Sequence, residues 1–378
     1  MSNPQTEIDS QVHDNITALL TMRRNYRQEI ADLTHKYHYV VFYGCGTIFH
    51  GIVDTIWSKY IGRRVDFCCD SNPEKWGKYF CGIKCISPSE LVEIKDRSTV
   101  FVTVGNFKPL MESLTVCGFS SVNLFYKYDI VSSDFLDRLG ERELKSVAAN
   151  LCATRQLLSD PQSIKVFDSI ITRVLDSGKS PYTMAAICEP NQYFPPDIIN
   201  LSDRERFVDI GAFNGDTVKE IIRRTHATFD YIFSFEVDLA NFNALRENIK
   251  HIPNENKIKV FNLGIWDTEC DMRHSIANLD STVGEGEGLG HVVPLDEILK
   301  NERVTFIKMD VEGAEPNALR GARNIIKAQK PKLAICVYHH IKDLWEVPLF
   351  IKELVPEYKI YLRHHSNLEY ETVCYAVV

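Results

Sequence analysis

VDIGAFNGDTV, residues 208–218, is the stretch on which the reading of this chain turns. It continues an apolar run from Phe207 that reads as a buried strand. Gly211 and Gly215 then let the backbone turn tightly and approach a ligand, and Asp216 and Thr217 can cap the helix that follows. The spacing is G-x-x-x-G, not the G-x-G-x-x-G of a pyrophosphate-binding turn, and Asp209 sits in the strand itself. A phosphate site needs N–H groups with no carboxylate close by. The turn therefore predicts a ligand with a cationic group, which Asp209 meets directly or through water, while Gly211, Phe213, Asn214, Gly215, Asp216 and Thr217 run along its tail.

Working outward, strand-like runs recur at 206–210, 231–235, 257–261, 304–309, 333–337, 358–362 and 372–377, with helical segments between the first several. Alternation of this kind predicts a parallel α/β sheet. The last two runs are joined by HHSNLEY (364–370), too short for a helical crossover, so the seventh strand should lie antiparallel to the sixth. Glu236 ends the second strand, near the ~20-residue offset at which an acidic side chain meets ribose hydroxyls in doubly wound folds. After the third strand, NLGIWD (262–267) places Gly264, Ile265 and Asp267 to meet an adenine ring. An ammonium contact, a ribose contact and an adenine contact together predict S-adenosylmethionine as cofactor, on a seven-strand Rossmann-like fold ending in an antiparallel hairpin.

Four segments carry a resemblance: VDIGAFNGDTV, FEVD (235–238), VPLDEIL (293–299) and above all FIKMDVEGAEPNALRGA (306–322). From about Arg206 to the C-terminus the chain resembles the FkbM family of S-adenosylmethionine-dependent methyltransferases. The resemblance implies methyl transfer, usually to an oxygen of a sugar or polyketide. Asp310 and Glu312 fall at the carboxyl end of the fourth strand, where open α/β sheets bind ligands. Asp310 is expected to face the sulfonium, and Glu312 or Glu315 to orient or deprotonate an acceptor hydroxyl. His339 and His340 leave the fifth strand on the same rim and are the expected general base. His364 and His365 read as acceptor-pocket or surface residues. No clear set of metal ligands emerges, and no metal is expected; the alternative is a divalent ion held by Asp310 and neighbouring carboxylates.

The N-terminal half repeats the strand–glycine-turn theme. Apolar residues from Gln11 to Tyr37 predict a leading helix, and strands are expected at 39–43, 64–70, 99–104 and 121–125. VVFYGCGTIFHG (40–51), Asp70 after the second strand, TVGNFK (103–108) and GIKCISPSEL (82–91) together resemble the nucleotide-sugar-binding domain of PglD-type sugar acetyltransferases. That resemblance implies Gly44, Gly46, Thr47, Asp70, Gly105 and Asn106 as nucleotide-sugar contacts. Proline-broken helical sequence follows, giving four expected segments: an N-terminal helix (1–36), a small Rossmann-like α/β domain (37–130), a helical connector (131–200) and the methyltransferase domain (201–378).

Composition narrows the function further. A net charge of −8 without a basic stripe disfavours nucleic acid as the main partner. No apolar run reaches the ~18 residues that span a bilayer. The polar start MSNPQTEIDSQVHDN lacks the pattern of a signal peptide, so a cytoplasmic location is expected. The 11 cysteines form no CxxC pair and read as free thiols. The expected protein O-methylates a sugar, sugar nucleotide or glycan for surface polysaccharide assembly, with a homodimer as one expected form. An NAD-dependent oxidoreductase working through the N-terminal domain is weakened by the missing third glycine. A nucleotide-sugar sensor with a degenerate methyltransferase domain is opposed by the intact Asp209, Gly211, Gly215, Glu236 and Asp310.

Overall fold

In the computed structural model, residues 16–378 are described except 19, 21, 22, 24, 126, 176–182, 251 and 275–287. The C-terminal sheet contains β7 (Arg206–Ile210), β8 (Tyr231–Phe235), β9 (Ile258–Phe261), β13 (Phe306–Met309), β14 (Lys332–Cys336), β15 (Lys359–His364) and β16 (Thr372–Val377). Their order is β15-β16-β14-β13-β7-β8-β9. β16 inserts between β14 and β15 and runs antiparallel to both, while β14, β13, β7, β8 and β9 are mutually parallel. The seven-strand sheet with its terminal hairpin is thus the one expected. Alternation along β7 sends Phe207 to one face, with Ile232, Phe306 and Tyr375, and Val208 and Ile210 to the other, with Phe233, Ile307 and Ile335. Both faces are covered, which is why these strands read as nearly continuous apolar runs.

The N-terminal sheet contains β1 (Tyr39–Tyr43), β2 (Phe67–Cys69), β3 (Tyr79–Phe80), β4 (Ile83–Ile86), β5 (Ser98–Val102) and β6 (Val122–Leu124), in the order β3-β4-β2-β1-β5-β6. β3 and β4 were not anticipated. They form a two-residue hairpin in which Cys81 and Gly82 both take positive φ, 47° and 71°. The leading helix is interrupted: among the described residues 16–18 and 20 are helical, Arg23 and Asn25 are not, and helix resumes at Tyr26. Helix α1 is Tyr26–Lys36, and Asn25 starts it by accepting the Gln28 N–H at 2.9 Å. Residues 1–15 of the expected helix lie outside the description.

The expected connector is built into the second sheet. Its helices α2 (Lys127–Asp137), α3 (Glu141–Leu157) and α4 (Pro161–Leu175) lead to a segment that pairs with β15 through Leu158–Ile360 and Cys188–His364 bridges. Arg363 on β15 ties Asp160 and Asp197 of this segment to the sheet, at 2.7 and 2.6 Å. The same segment carries Gln192 and Tyr193 to the carboxyl ends of the central strands. The two sheets also meet directly. Leu368 of the β15–β16 hairpin is buried in the N-terminal core, with Tyr338 and Tyr370 packed against it. Glu369 Oε1 accepts the Lys127 N–H at 3.0 Å.

A third, small sheet of β10 (Gly264–Ile265), β11 (Cys270–His274) and β12 (Gly288–Val293) stands over the end of β9. Three further helices matter for the site: α5 (Asp216–Arg224) after β7, α6 (Leu239–Ile249) after β8 and α7 (Glu315–Gly321) after β13. Among the described residues no helix is long and apolar enough to cross a membrane.

Candidate functional site

The carboxyl ends of β7, β8 and β13 open onto a cavity of about 480 Å³, within the usual range for small-ligand sites. Its shape depends on glycine. Gly211 has φ +76°, and a Cβ there would stand 1.9 Å from the Asp310 carbonyl oxygen, so the loops after β7 and β13 close on each other only because position 211 has no side chain. Four non-glycine residues on the wall, Tyr193 (φ 63°), Phe213 (φ 46°), Glu312 (φ 53°) and Glu371 (φ 70°), also sit in the left-handed region, which costs of order 1–3 kcal/mol each and concentrates at functional sites. Phe213 is 52% exposed, an apolar side chain left uncovered at the cavity.

Of the cofactor residues expected from sequence, Gly211, Phe213, Asp216, Thr217, Glu236, Gly264 and Ile265 line this cavity, as does Asn241 at the start of α6. Glu236 bridges two loops: Oε2 accepts the Phe213 N–H at 2.8 Å and Oε1 the Asp238 N–H at 2.9 Å. Each oxygen keeps a further lone pair for a hydroxyl donor. The apolar part of the wall comes from Leu263, Ile265, Trp266, Met272 and Val292.

Four expected cofactor residues are placed elsewhere. Asp209 is fully buried and pairs with Lys308, whose Nζ is 3.0 Å from Oδ1, so the strand carboxylate meets an internal cation and not the cavity. Asn214 faces neighbouring loop groups, its Oδ1 accepting the Asp216 N–H. Gly215 packs under Leu245, which a Cβ would approach to 2.8 Å. Asp267 is paired with Arg320 at 3.3 Å, outside the cavity wall.

Lys308 organises the floor. Its Nζ donates to the Gly211 carbonyl at 2.6 Å and lies 5.2 Å from the Tyr193 ring centroid. Burial pushes the ammonium down, but the charges of Asp209 and Asp310 outweigh it and hold Lys308 well above the usual range. Burial likewise raises Asp310, yet Lys308 and then His339 bring its carboxyl below the ordinary value. Asp310 is fixed by two phenols: Tyr193 Oη donates at 2.7 Å and Tyr338 Oη at 3.2 Å. Gln192 donates to Glu371 on the same wall. Burial, then the Asp310 charge, lift Glu371 to about 7.

The expected histidine bases do not reach the cavity wall. His339 is buried, with Nδ1 3.0 Å from Glu315 Oε1 and Nε2 3.5 Å from Glu312 and 3.6 Å from Asp310. Burial lowers its pKa, but Glu315, then Glu312 and Asp310, raise it to about 10. A group held protonated near neutrality cannot act as a free base, which corrects the role expected for His339. His340 backs onto Gly313, where a Cβ would lie 2.5 Å from its Nε2. Glu315 is fully buried and accepts the Val311 N–H, so it stands behind the wall, while Asp310 and Glu312 are on it. His364 is a buried structural residue between Thr372 and the Leu368 carbonyl, and His365 is half-buried and meets Tyr375.

In the N-terminal domain, Gly44, Gly46 and Thr47 follow β1, Asp70 follows β2, and Gly105 and Asn106 follow β5, all at strand carboxyl ends. Asp70 is largely engaged, accepting from Cys45 N, Asn72 N and Lys75 Nζ at 2.9, 2.9 and 2.8 Å. Gly44 (φ +111°) presses against Thr103 and Val104. A separate hollow of about 600 Å³, lined by Arg303, Thr305 and Lys332, lies at the amino ends of the C-terminal strands, the end opposite to that at which such sheets bind ligands.

Residues 209–366 match the family model described as Methyltransferase FkbM domain. No curated protein matches the chain. Among solved structures, the chain is similar to methyltransferase FkbM from Methylobacillus flagellatus KT, with 22% identity, coverage of 97% of this chain and 100% of that one, and a TM-score of 0.73. At that identity the likeness is one of fold, and it extends through the N-terminal half. Weaker similarities include a precorrin-6y C5,15-methyltransferase from Geobacter metallireducens GS-15 (14% identity, 47% and 80% coverage, TM-score 0.29). Another is a fibrillarin pre-rRNA processing protein from Methanococcus jannaschii (14%, 58% and 76%, TM-score 0.31). The chain therefore carries, at residues 209–366, a methyltransferase domain of the FkbM family.

Proposed function

We propose that this protein transfers a methyl group from S-adenosylmethionine to a hydroxyl of a sugar, sugar nucleotide or glycan. The observation that carries this reading is Glu236: a carboxylate anchored by two backbone N–H groups, with acceptor capacity left over, on a cavity whose far wall is Asp310. A ribose diol fits Glu236, and an adenine ring fits the apolar strip from Leu263 to Trp266. With Asp209 taken by Lys308, Asp216 and Asp310 are the carboxylates of the wall that we assign to a cationic tail. When bound, the cofactor supplies a methyl group activated by a sulfonium. The protein's own part is to hold the acceptor oxygen in line with it, a source of rate in its own right. Asp310, held ionised by Lys308 and oriented by Tyr193 and Tyr338, is placed to favour positive charge at the reacting centre.

The acceptor side of the wall is polar, with Gln192, Asp310, Glu312 and Glu371, which suits a hydroxylated substrate. Glu371 replaces the histidines as the group able to take a hydroxyl proton near neutral pH. Gly105, after β5, lies beside the Tyr370 hydroxyl of the hairpin, which supports a role for the N-terminal strand ends in holding the nucleotide or the rest of a glycan. The test is direct. The protein is incubated with S-adenosylmethionine and a panel of UDP and GDP sugars, with demethylated cofactor and product mass read together. Formation of a methylated sugar supports the reading; cofactor binding with methylation of only a non-sugar acceptor would refute the acceptor assignment.

A further inference from the structure

Three cysteines of the N-terminal domain meet on one face of its sheet. Cys68 of β2 and Cys85 of β4 are direct partners across a parallel pair, so their side chains leave the same face. Cys45 reaches them from the turn after β1, where Gly44 takes φ +111° and donates its N–H to the Cys69 carbonyl at 2.8 Å. Cys68 and Cys85 are fully buried, and Cys45 is 4% exposed. Cys45 Sγ stands 3.7 Å from Cys85 Sγ, and all three sulfurs lie within 4.8 Å of one another. All three are free thiols.

We infer that Cys45, Cys68 and Cys85 form a zinc(II) site. Zinc–sulfur bonds of about 2.3 Å at tetrahedral angles hold sulfurs roughly 3.8 Å apart, and the Cys45–Cys85 pair already stands at that spacing. The other two pairs need to close by about 1 Å at most. Rotation about χ1 and the glycine-flanked turn at Cys45 supply that movement. Sulfur ligands select thiophilic ions over magnesium, calcium or manganese. Three thiolates around a dication leave one negative charge, where monovalent copper would leave two, so burial favours zinc. Asp70 and Lys75 at the same strand ends pair at 2.8 Å and offset each other. The Lys75 ammonium also reaches the Cys45 carbonyl at 3.1 Å, which brings positive charge toward the site. The fourth tetrahedral position is left to water, and Gly46 beside Cys45 is exposed. Three protein ligands with a solvent position is an established zinc geometry.

In the ion-free form the thiols meet backbone carbonyls at long range: Cys45 Sγ the Cys69 oxygen at 3.6 Å, Cys68 Sγ that of Ile83 at 3.7 Å and Cys85 Sγ that of Ile86 at 3.8 Å. Zinc replaces the thiol protons and fastens the turn after β1 to β2 and β4. That turn leads into the helix Thr47–Gly51, so the ion sets the shape of one N-terminal strand end whether or not the chain transfers methyl groups. Other groups able to take zinc must be told apart from this one. Cys81 Sγ lies 3.0 Å from His50 Nδ1, Cys117 and Cys188 are exposed, and His339, Glu315 and Asp310 offer nitrogen and oxygen only.

The experiment titrates Co(II) into the reduced, chelator-treated full chain without oxygen, and then displaces it with Zn(II). Cobalt takes tetrahedral zinc sites and reports thiolate ligands through a near-ultraviolet charge-transfer band. The expected result is one Co(II) per chain with that band, removed by one equivalent of Zn(II). The band should be lost in Cys68→Ser and Cys85→Ser, and Cys45→Ser should weaken binding at least tenfold. Cys81→Ser, Cys117→Ser and Cys188→Ser should leave it unchanged. X-ray absorption of the zinc-loaded parent keeps the test valid if the buried variants fail to fold. It should show three sulfurs at about 2.3 Å and one lighter atom. A missing charge-transfer band would mean three packed, protonated thiols and overturn the assignment. So would a band that survives Cys68→Ser and Cys85→Ser, a band lost in Cys81→Ser, or a zinc shell with fewer than three sulfurs.

Discussion

Replacing Lys308 with Met should show how the floor of the site is held together. The ammonium is enclosed between Asp209, whose Oδ1 it meets at 3.0 Å, and the Gly211 carbonyl, and among the described residues no other group is bonded to either Asp209 oxygen. A methionine of similar length fills the space but leaves Asp209 fully buried with no countercharge. Breaking a buried pair from one side costs about 3–5 kcal/mol, and the lost bond to Gly211 falls within that figure. The sign of the pH dependence follows. In Lys308→Met the unpaired Asp209 has its folded pKa raised above the unfolded value of about 3.9. The penalty therefore vanishes only well below pH 4, where the carboxyl is protonated in both states, and grows as pH rises toward 8. The assay is urea denaturation of four proteins, the parent, Lys308→Met, Asp209→Leu and the double variant, at pH 5 and pH 8. The double variant removes both charges, so it should be at least about 1.5 kcal/mol more stable than additivity predicts, on the scale of coupled neighbours. Additive single effects, or a loss below about 1 kcal/mol in Lys308→Met at pH 8, would refute the view of Lys308 and Asp209 as the site's electrostatic floor.

Gly211→Ala should destabilise the fold by roughly 2–5 kcal/mol, because a left-handed alanine costs about 1–2 kcal/mol and its methyl meets a backbone oxygen that cannot move alone; guanidinium denaturation reads this, and a loss under 1 kcal/mol contradicts it. His364, buried between Thr372 and Leu368, is pushed by burial down to about 3. Its folded pKa lies below the unfolded ~6.5, so stability is present above pH 6.5 and falls as pH drops, by about 2 kcal/mol between pH 7 and pH 5. His364→Gln should flatten that part of the profile, and an unchanged profile would show the histidine to be already protonated in the fold.

Much of this was readable from residue order, for physical reasons that differ between segments. The seven strands were legible because a parallel sheet buried on both faces needs unbroken apolar runs, and 206–210 and 231–235 supply them. The final hairpin was legible from the length of its loop. The strands missed were those that carry little periodic signal: Tyr79–Phe80 and Ile83–Ile86 turn at Cys81–Gly82, a pair outside the usual glycine-turn dipeptides, and the small sheet over the cavity depends on distant pairing of Cys270–His274 with Gly288–Val293. Asp209 was assigned to the ligand because its partner lies far away in sequence. The signal that could have found Lys308 is the charge inside FIKM: a lysine in a central strand must be paired. Tyr193 and Gln192 gave no such signal, since their segment reads only as proline-rich connection. His339 looked like a base because adjacent carboxylates cannot be counted until Glu312 and Glu315 are folded back over it.

The most direct test of the account is calorimetric titration of S-adenosylmethionine into the intact protein and into Glu236→Gln. Saturable binding of one molecule per chain is expected, weakened in the variant by about 1.5–3 kcal/mol, the scale for hydrogen bonds to a charged group, with the fold retained. Absence of binding by the folded parent, or equal affinity in parent and variant, would contradict it.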